Sequence, residues 1–264
     1  MRKGIWVGCF PSDLPIDDQF RLAARAGFDG IELQADDALL DDGARLRALA
    51  ELARGTVPVC SLMCTGGRKL GSPDEAERRA ALEHVRRAIG AAATLGTDTL
   101  LVIPAYVDAR VTYEQAWQRG QAGLRALLPA AEEHGVCLAV ENVWNRFLLS
   151  PLEMARFVDE VGHPLVRSYL DVGNAVLLGF PEHWVATLGS RIRRVHLKDF
   201  RRAVGTLAGF VPLGDGDVDW PAVIAALRTV GYDGYLTAET DPVRHLPDGG
   251  AADLARRIDA IMAL

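Results

Sequence analysis

Cysteine is scarce, with four residues among 264, and none is placed to build a disulfide framework or a zinc site. Cys60 and Cys64 share one predicted strand, where four residues span about 13 Å, beyond the reach of a disulfide. Their C-x-x-x-C spacing has no nearby histidine to complete a zinc set. Cys137 lies in an apolar strand-like run and reads as a small core hydrophobe. A run of about 18 apolar residues is missing, so no transmembrane helix is expected. The N-terminus opens on a strand rather than a signal-peptide apolar stretch, and with reduced thiols this points to a cytoplasmic chain. An excess of basic charge is absent as well. The 29 Lys and Arg are outnumbered by 35 Asp and Glu, a net charge of −6 that argues against a nucleic-acid partner. The one basic cluster, formed by Arg191, Arg193 and Arg194 with Lys198, Arg201 and Arg202, suits a small polar substrate better than a duplex. No linker rich in Ser, Pro or Gly divides the chain, so residues 1–264 read as one domain, long enough to bury its own core.

What is present is an alternation of strand and helix patterns from end to end. Strands are expected at Ile5–Phe10, Ile31–Leu33, Val57–Met63 and Thr99–Ile103, then at four short runs ending on Glu141, Asp171, His196 and Glu239. Helices are expected at Ile16–Ala26 and Ala44–Arg54, after Ser72, and at Tyr113–His134, Pro151–Val161, Glu182–Leu188, Trp220–Val230 and Ala252–Met262. Ser72-Pro73-Asp74-Glu75 is a helix start, with proline early and acids in the first turn. Asp219 is an N-cap with Pro221 in the turn it opens. Eight strands alternating with eight helical segments demand a parallel sheet. At this length they predict an α/β fold, a single (β/α)8 TIM barrel with its active site at the C-terminal ends of the strands. An open doubly wound sheet is the weaker reading, because the first strand-to-helix turn carries no glycine fingerprint.

The chemistry concentrates at those strand ends. Leu138-Ala139-Val140 closes on Glu141, Ser168-Tyr169-Leu170 on Asp171, Arg194-Val195 on His196, and Leu236-Thr237-Ala238 on Glu239. Any one of these alone reads as a solvated strand cap, and His196 alone as a hydrogen-bonded core histidine. Four at equivalent positions of successive repeats are not explained by chance. Three carboxylates and one imidazole form a divalent-metal site with room for a substrate oxygen.

Around these residues stand Gly27-Phe28-Asp29-Gly30-Ile31-Glu32-Leu33, Glu141-Asn142-Val143-Trp144-Asn145, Asp171-Val172-Gly173-Asn174, Val195-His196-Leu197-Lys198-Asp199, Gly214-Asp215-Gly216 with Asp219, and Gly231-Tyr232-Asp233-Gly234 leading to Glu239. In these stretches the chain resembles the xylose-isomerase-like TIM-barrel superfamily, the sugar phosphate isomerase/epimerase group, and within it the ketose 3-epimerases such as D-tagatose 3-epimerase. The resemblance implies one catalytic divalent metal, Mn²⁺ favoured over Mg²⁺, Co²⁺ or Zn²⁺, held by Glu141, Asp171, His196 and Glu239. It implies that Glu141 and Glu239 are also the acid/base pair, and that Arg202, six residues past the ligand histidine, holds a substrate oxygen. Two positions depart from the tagatose-type pattern: Asn174 stands where those enzymes carry a substrate-contacting histidine, and Phe147 where they carry a further glutamate.

The expected reaction is metal-dependent isomerisation or epimerisation of a ketose or ketose phosphate, with 3-epimerisation through a metal-stabilised enediolate in front. Aldose–ketose isomerisation and dehydration of a keto-polyol use the same proton abstraction and remain open. An endonuclease IV-like hydrolase would need a three-metal cluster and more histidines at the strand ends. Lys198 shares the pleat parity of His196 and reads either as a substrate contact beside Asn174 and Arg202 or as a surface lysine. Asp199, of opposite parity, reads as structural. Glu32 reads equally as a pocket residue or a strand end, Trp144 as packed loop more than sugar platform, and Gly214-Asp215-Gly216 as turn chemistry. The partner is a small sugar or sugar phosphate, with neither nucleic acid nor membrane expected, and a homo-oligomer, dimer or tetramer, is compatible with the reading.

Overall fold

The structure is a computed structural model that describes every residue except Arg244 and Pro247. Eight parallel strands close into a barrel: β1 (Arg2–Trp6), β2 (Gly30–Gln34), β3 (Val59–Cys64), β4 (Thr99–Val102), β5 (Cys137–Glu141), β6 (Val166–Asp171), β7 (Ile192–Leu197) and β8 (Tyr235–Ala238), with β1 paired to both β2 and β8. The helices that return the chain are α1 (Ile16–Ala26), α2 (Gly43–Gly55), α3 (Glu75–Leu95), α4 (Tyr113–His134), α5 (Pro151–Val161), α6 (Pro181–Leu188), α7 (Trp220–Thr229) and α8 (Ala251–Met262).

Local chemistry sets the helix ends. Asp74 accepts the N–H groups of Ala76 and Glu77 to start α3, while Thr112 with Gln115 and Ser150 with Glu153 form reciprocal capping boxes at α4 and α5. Asp219 accepts from Ala222 at the start of α7. The strands then divide by parity. Ile31, Leu33, Leu138, Val140, Leu170, Val195, Leu197 and Leu236 face outward, packed with helix residues such as Phe20, Ile89, Leu124 and Ile258 in one continuous core. Met63, Leu101, Ile103, Ala139 and Tyr169 fill a second, smaller cluster. Glu141, Asp171, His196 and Glu239 each follow an outward residue by one position, so all four point inward at the same end of the barrel.

The third strand starts two residues later than expected, at Val59, and the first departs furthest from expectation. The first strand spans Arg2–Trp6 rather than Ile5–Phe10, because Val7–Cys9 turns into a 3₁₀ helix and Phe10 N–H donates to the Val7 carbonyl at 3.1 Å. The Trp6 ring lies against Gly8, where a Cβ would sit 2.1 Å from the ring, so only glycine lets the chain turn beneath it. Periodicity also does not announce several small elements: the helical turns Asp37–Leu40 and Val172–Val176, the 3₁₀ segments Thr65–Gly71, Gly189–Arg191 and Leu207–Gly209, and an antiparallel ribbon of Asp199–Phe200 with Phe210–Val211 that extends above β7. No helix among the described residues is long and apolar enough to cross a membrane. All four cysteines are free and buried, and burial pushes each thiol up to about 11.

Candidate metal centre and active site

Glu141, Asp171, His196 and Glu239 meet at the mouth of the barrel, each offering one ligand atom within 4.8 Å of the others. His196 is fully buried, and its two ring nitrogens face different partners. Nδ1 lies 3.0 Å from Glu141 Oε1 and 2.8 Å from Glu239 Oε2, whereas Nε2 lies 2.7 Å from Glu32 Oε1. Glu32 is itself buried beneath the cluster, and its Oε2 accepts from Tyr169 Oη at 2.6 Å and from Ser61 Oγ at 2.5 Å. Such a carboxylate behind an imidazole keeps the proton on Nε2 and turns Nδ1 toward the mouth.

Asp171 is fixed from two sides. Its Oδ1 accepts the Asn174 N–H at 2.8 Å and so caps the turn Val172–Val176, leaving Oδ2 for the cluster. Its backbone is held by the Asn142 side chain, which donates to the Asp171 carbonyl at 2.9 Å and accepts the Asp171 N–H at 2.7 Å. Glu239 continues the β8 ladder, its N–H donating to the Leu197 carbonyl at 3.1 Å.

The donor set suits a divalent cation. Asp171 Oδ2 and Glu239 Oε2 are buried oxygens that no donor meets in good hydrogen-bonding geometry, and they lie beside Glu141 Oε1 and His196 Nδ1. Buried carboxylate oxygens that converge in this way need positive charge close by, and three oxygens with one imidazole match a hard or borderline metal. Lys198 stands beside them, Nζ 3.0 Å from Asp171 Oδ2 and 2.8 Å from Glu239 Oε2, at ion-pair distance but off the hydrogen-bonding direction. Burial pushes the Glu141 carboxyl up to about 7, against the opposing pull of His196. Burial acts the same way on Glu239, yet the charges of His196 and Lys198 win and hold it down at about 2. Burial lowers His196, but Glu32 and Glu239 outweigh it and raise the imidazole well above its ordinary value.

A cavity of about 280 Å³ opens at Lys198 and Glu239, walled by Phe210, Thr240, Pro242 and Arg257. A second, of about 330 Å³, is lined by Asn142, Trp144, Arg146, Asn174, Leu178 and Trp184. Asn174 therefore lines a cavity, but one of its amide donors already goes to the Asn142 carbonyl at 2.9 Å. Arg202 is not among the residues walling either cavity. Its Nε donates to the Val176 carbonyl at 2.9 Å, its Nη2 to the Gly179 carbonyl at 3.1 Å, and its guanidinium carbon stands 5.2 Å from the centre of the Phe180 ring.

The remaining residues singled out in the sequence fall as follows. Trp144 packs edge-on to Phe200 at 5.1 Å and tilted on Phe210 at 5.2 Å, a packed loop that also walls the second cavity. Asp199 is buried, accepting from the N–H groups of Phe200, Gly214 and Val218 and from Trp220 Nε1. A Cβ at Gly216 would lie 2.1 Å from Asp199 Oδ1, so Gly214-Asp215-Gly216 is a turn wrapped on that carboxylate. Phe147, where a glutamate stands in the tagatose-type pattern, is buried against Tyr113 at 5.2 Å and Phe157 at 5.5 Å. His84 and His163 pair with Asp37 and Glu132 on the helices, so among the described residues only His196 joins the cluster. Asn142, Ser61 and Tyr169 were not anticipated as site residues. Their only signal was inward parity or adjacency to a ligand.

Known proteins share this arrangement of chain. Over its full length the chain is 28% identical to the L-ribulose-5-phosphate 3-epimerase UlaE of Salmonella paratyphi C, of which 96% is covered. A D-psicose 3-epimerase from Clostridium cellulolyticum H10, solved with D-tagatose, superposes with a TM-score of 0.83 at 19% identity, covering 100% of this chain and 97% of that one. The IolI protein, solved with a bound zinc atom, superposes with a TM-score of 0.85 at 20% identity, covering 100% and 98%. At these identities the two solved structures speak for the fold. Residues 20–261 match the model of one family, and with the closed eight-stranded barrel this shows that the chain belongs to the xylose isomerase-like TIM barrel family.

Proposed function

We propose that this chain is a divalent-metal-dependent epimerase of a ketose or ketose phosphate, acting by proton transfer at the carbon beside the carbonyl, most readily at C3. The observation that carries the reading is the convergence of Glu141, Asp171, His196 and Glu239 on one point at the barrel mouth. The family's curated relatives support the substrate class, since the UlaE relative is an L-ribulose-5-phosphate 3-epimerase. The oxygen-rich donor set with a single imidazole favours Mn²⁺, and Mg²⁺, Co²⁺ and Zn²⁺ also fit it. Four free thiols accord with work in the cytoplasm.

The cation would supply Lewis acidity to a carbonyl and the hydroxyl beside it. The chain's own residues would do the rest. Glu141 and Glu239 come from β5 and β8, so they approach a bound ketose from different sides of the mouth. Each turns one oxygen to His196, and among the described residues neither Glu141 Oε2 nor Glu239 Oε1 has a hydrogen-bond partner, leaving that oxygen to exchange a proton with carbon. One glutamate takes the proton from one face and the other returns a proton to the opposite face, which is what inversion requires. Glu32 holds the imidazole still. Lys198 and Asn174 bind substrate oxygens, and Arg202 fastens the segment Val176–Gly179 so that the rim beside Asn174 keeps its shape.

Incubating the Mn²⁺-loaded protein in D₂O with a panel of ketoses and ketose phosphates tests this. Deuterium at a single carbon, with the epimer as product, is expected. An aldose or an unsaturated ketone would transfer the same site to isomerisation or dehydration, and no exchange with any member would refute the reading.

A further inference from the structure

Lys198 occupies a position that the proposed cation also needs. Asp171 has only one oxygen to give, because Oδ1 is committed to the Asn174 N–H at 2.8 Å. That free oxygen, Oδ2, and Glu239 Oε2 are the two atoms against which the Lys198 ammonium rests, at 3.0 and 2.8 Å. A metal ion binds carboxylate oxygen at about 2.0–2.2 Å. Two cations sharing these same oxygens would stand about 4–5 Å apart inside a buried site, where their repulsion is weakly screened. Resting on the metal-centre reading above, we propose that Lys198 and the divalent cation exclude one another at Asp171 Oδ2 and Glu239 Oε2, so that cation entry turns the ammonium out into the adjoining cavity, where it meets the substrate.

The side chain is built for that exchange. Its root is pinned: a Cβ at Gly173 would lie 2.4 Å from Lys198 Cβ and 2.9 Å from the Lys198 carbonyl, so the glycine of Asp171-Val172-Gly173-Asn174 leaves the room in which Lys198 is seated. Above that root run four flexible carbons. They end at the cavity of about 280 Å³ that Lys198 already walls with Phe210, whose ring centre lies 5.6 Å from Nζ. The other cation there, Arg257, is spent on Asp253, Asp215 and the Leu213 carbonyl. Of the two described cations that wall this cavity, Lys198 is thus the one free to reach a substrate oxygen, and only after it has left the carboxylates. Before loading it neutralises the acidic cluster. After loading it serves the sugar. Metal therefore binds before substrate.

Calorimetric titration of Zn²⁺ into wild type, Lys198→Met and Lys198→Gln at fixed pH tests the exclusion without any turnover. Both variants are expected to bind Zn²⁺ at least about tenfold more tightly than wild type, since the competitor has gone. In wild type labelled with ¹⁵N-lysine, one ammonium signal shielded from solvent exchange, missing in Lys198→Gln, is expected to lose its protection on Zn²⁺ saturation. Equal or weaker Zn²⁺ binding by the variants, or a protected Lys198 signal that survives saturation, would overturn the exclusion. A wild type that takes up no divalent cation would overturn the metal centre itself, and with it this inference. Should Lys198→Met fail to fold, Lys198→Gln and the wild-type signal still decide.

Discussion

Glu32→Gln should weaken metal binding while leaving the barrel folded. The substitution preserves volume and shape in a fully buried position, and removes one negative charge 2.7 Å from His196 Nε2. If the glutamine carbonyl takes the place of Oε1, its NH₂ group faces Ser61 Oγ and Tyr169 Oη. Both hydroxyls can turn to accept, and they stand 3.3 Å from one another as alternative partners. If the amide flips, its NH₂ meets Nε2 and forces the ring proton onto Nδ1, the atom that faces the cluster. Either way the imidazole becomes a poorer ligand. Loss of a carboxylate behind a ligand histidine typically costs 10–100-fold in metal affinity, about 1.4–2.7 kcal/mol. Glu32→Ala acts differently, since it strips the acceptor from three buried donors at about 1–3 kcal/mol each and should mainly lower stability. Calorimetric metal titration beside denaturant unfolding separates the two effects. A Glu32→Gln protein that binds metal like wild type and loses only stability would refute the orienting role.

Asp171→Ala and His196→Ala should each emerge folded and largely free of metal by elemental analysis, and full occupancy in both would displace the site. Arg202→Ala should retain its metal yet lower kcat/KM by about 10–100-fold, the effect of a misplaced rim, and unchanged kcat/KM would reduce Arg202 to a surface fastener. Phe147→Ala should cost about 3–5 kcal/mol in denaturant unfolding, the price of a cavity between Tyr113 and Phe157, and a loss below about 1 kcal/mol would mean that the aromatic cluster is not packed as described. Metal uptake should release protons and strengthen as pH rises, because His196 is held protonated by Glu32 and Glu239 and burial holds the Glu141 carboxyl at about 7. Binding enthalpies that do not change between buffers of different ionisation enthalpy would contradict this.

The barrel was legible because two signals coincide at every unit. Apolar runs of four to six residues alternate with helices whose ends carry their own chemistry, and the capping boxes of Thr112 and Ser150 lie where the pattern puts helix starts. The ligand set was legible for a related reason. In a period-two strand, the residue after an outward apolar residue must face inward, so Glu141, Asp171 and Glu239 had their direction set by Val140, Leu170 and Ala238. The first strand failed where that logic stops. Trp6-Val7-Gly8-Cys9-Phe10 is apolar enough for a strand, but pairing ends at Trp6, and the ring's need for space over Gly8 appears only in three dimensions.

Beyond the strand ends, sequence position gives a place but no direction. Arg202 lies six residues past His196, as in the tagatose-type pattern, yet its guanidinium is drawn to the Val176 carbonyl at the end of the turn Val172–Val176 and to the Gly179 carbonyl just beyond it. That turn exists because Asp171 caps it, so one ligand's second oxygen decides what an arginine on the next strand's loop can reach. Lys198 shows the converse. Its parity matches that of His196, but parity alone could not tell a solvated lysine from one seated on two ligand oxygens; the backbone of Gly173, two residues past Asp171, made the difference. Loop function in this barrel is therefore settled by contacts between neighbouring units, β6 with β7 above all, and a reading of one unit at a time identifies the ligands without the groups that govern them.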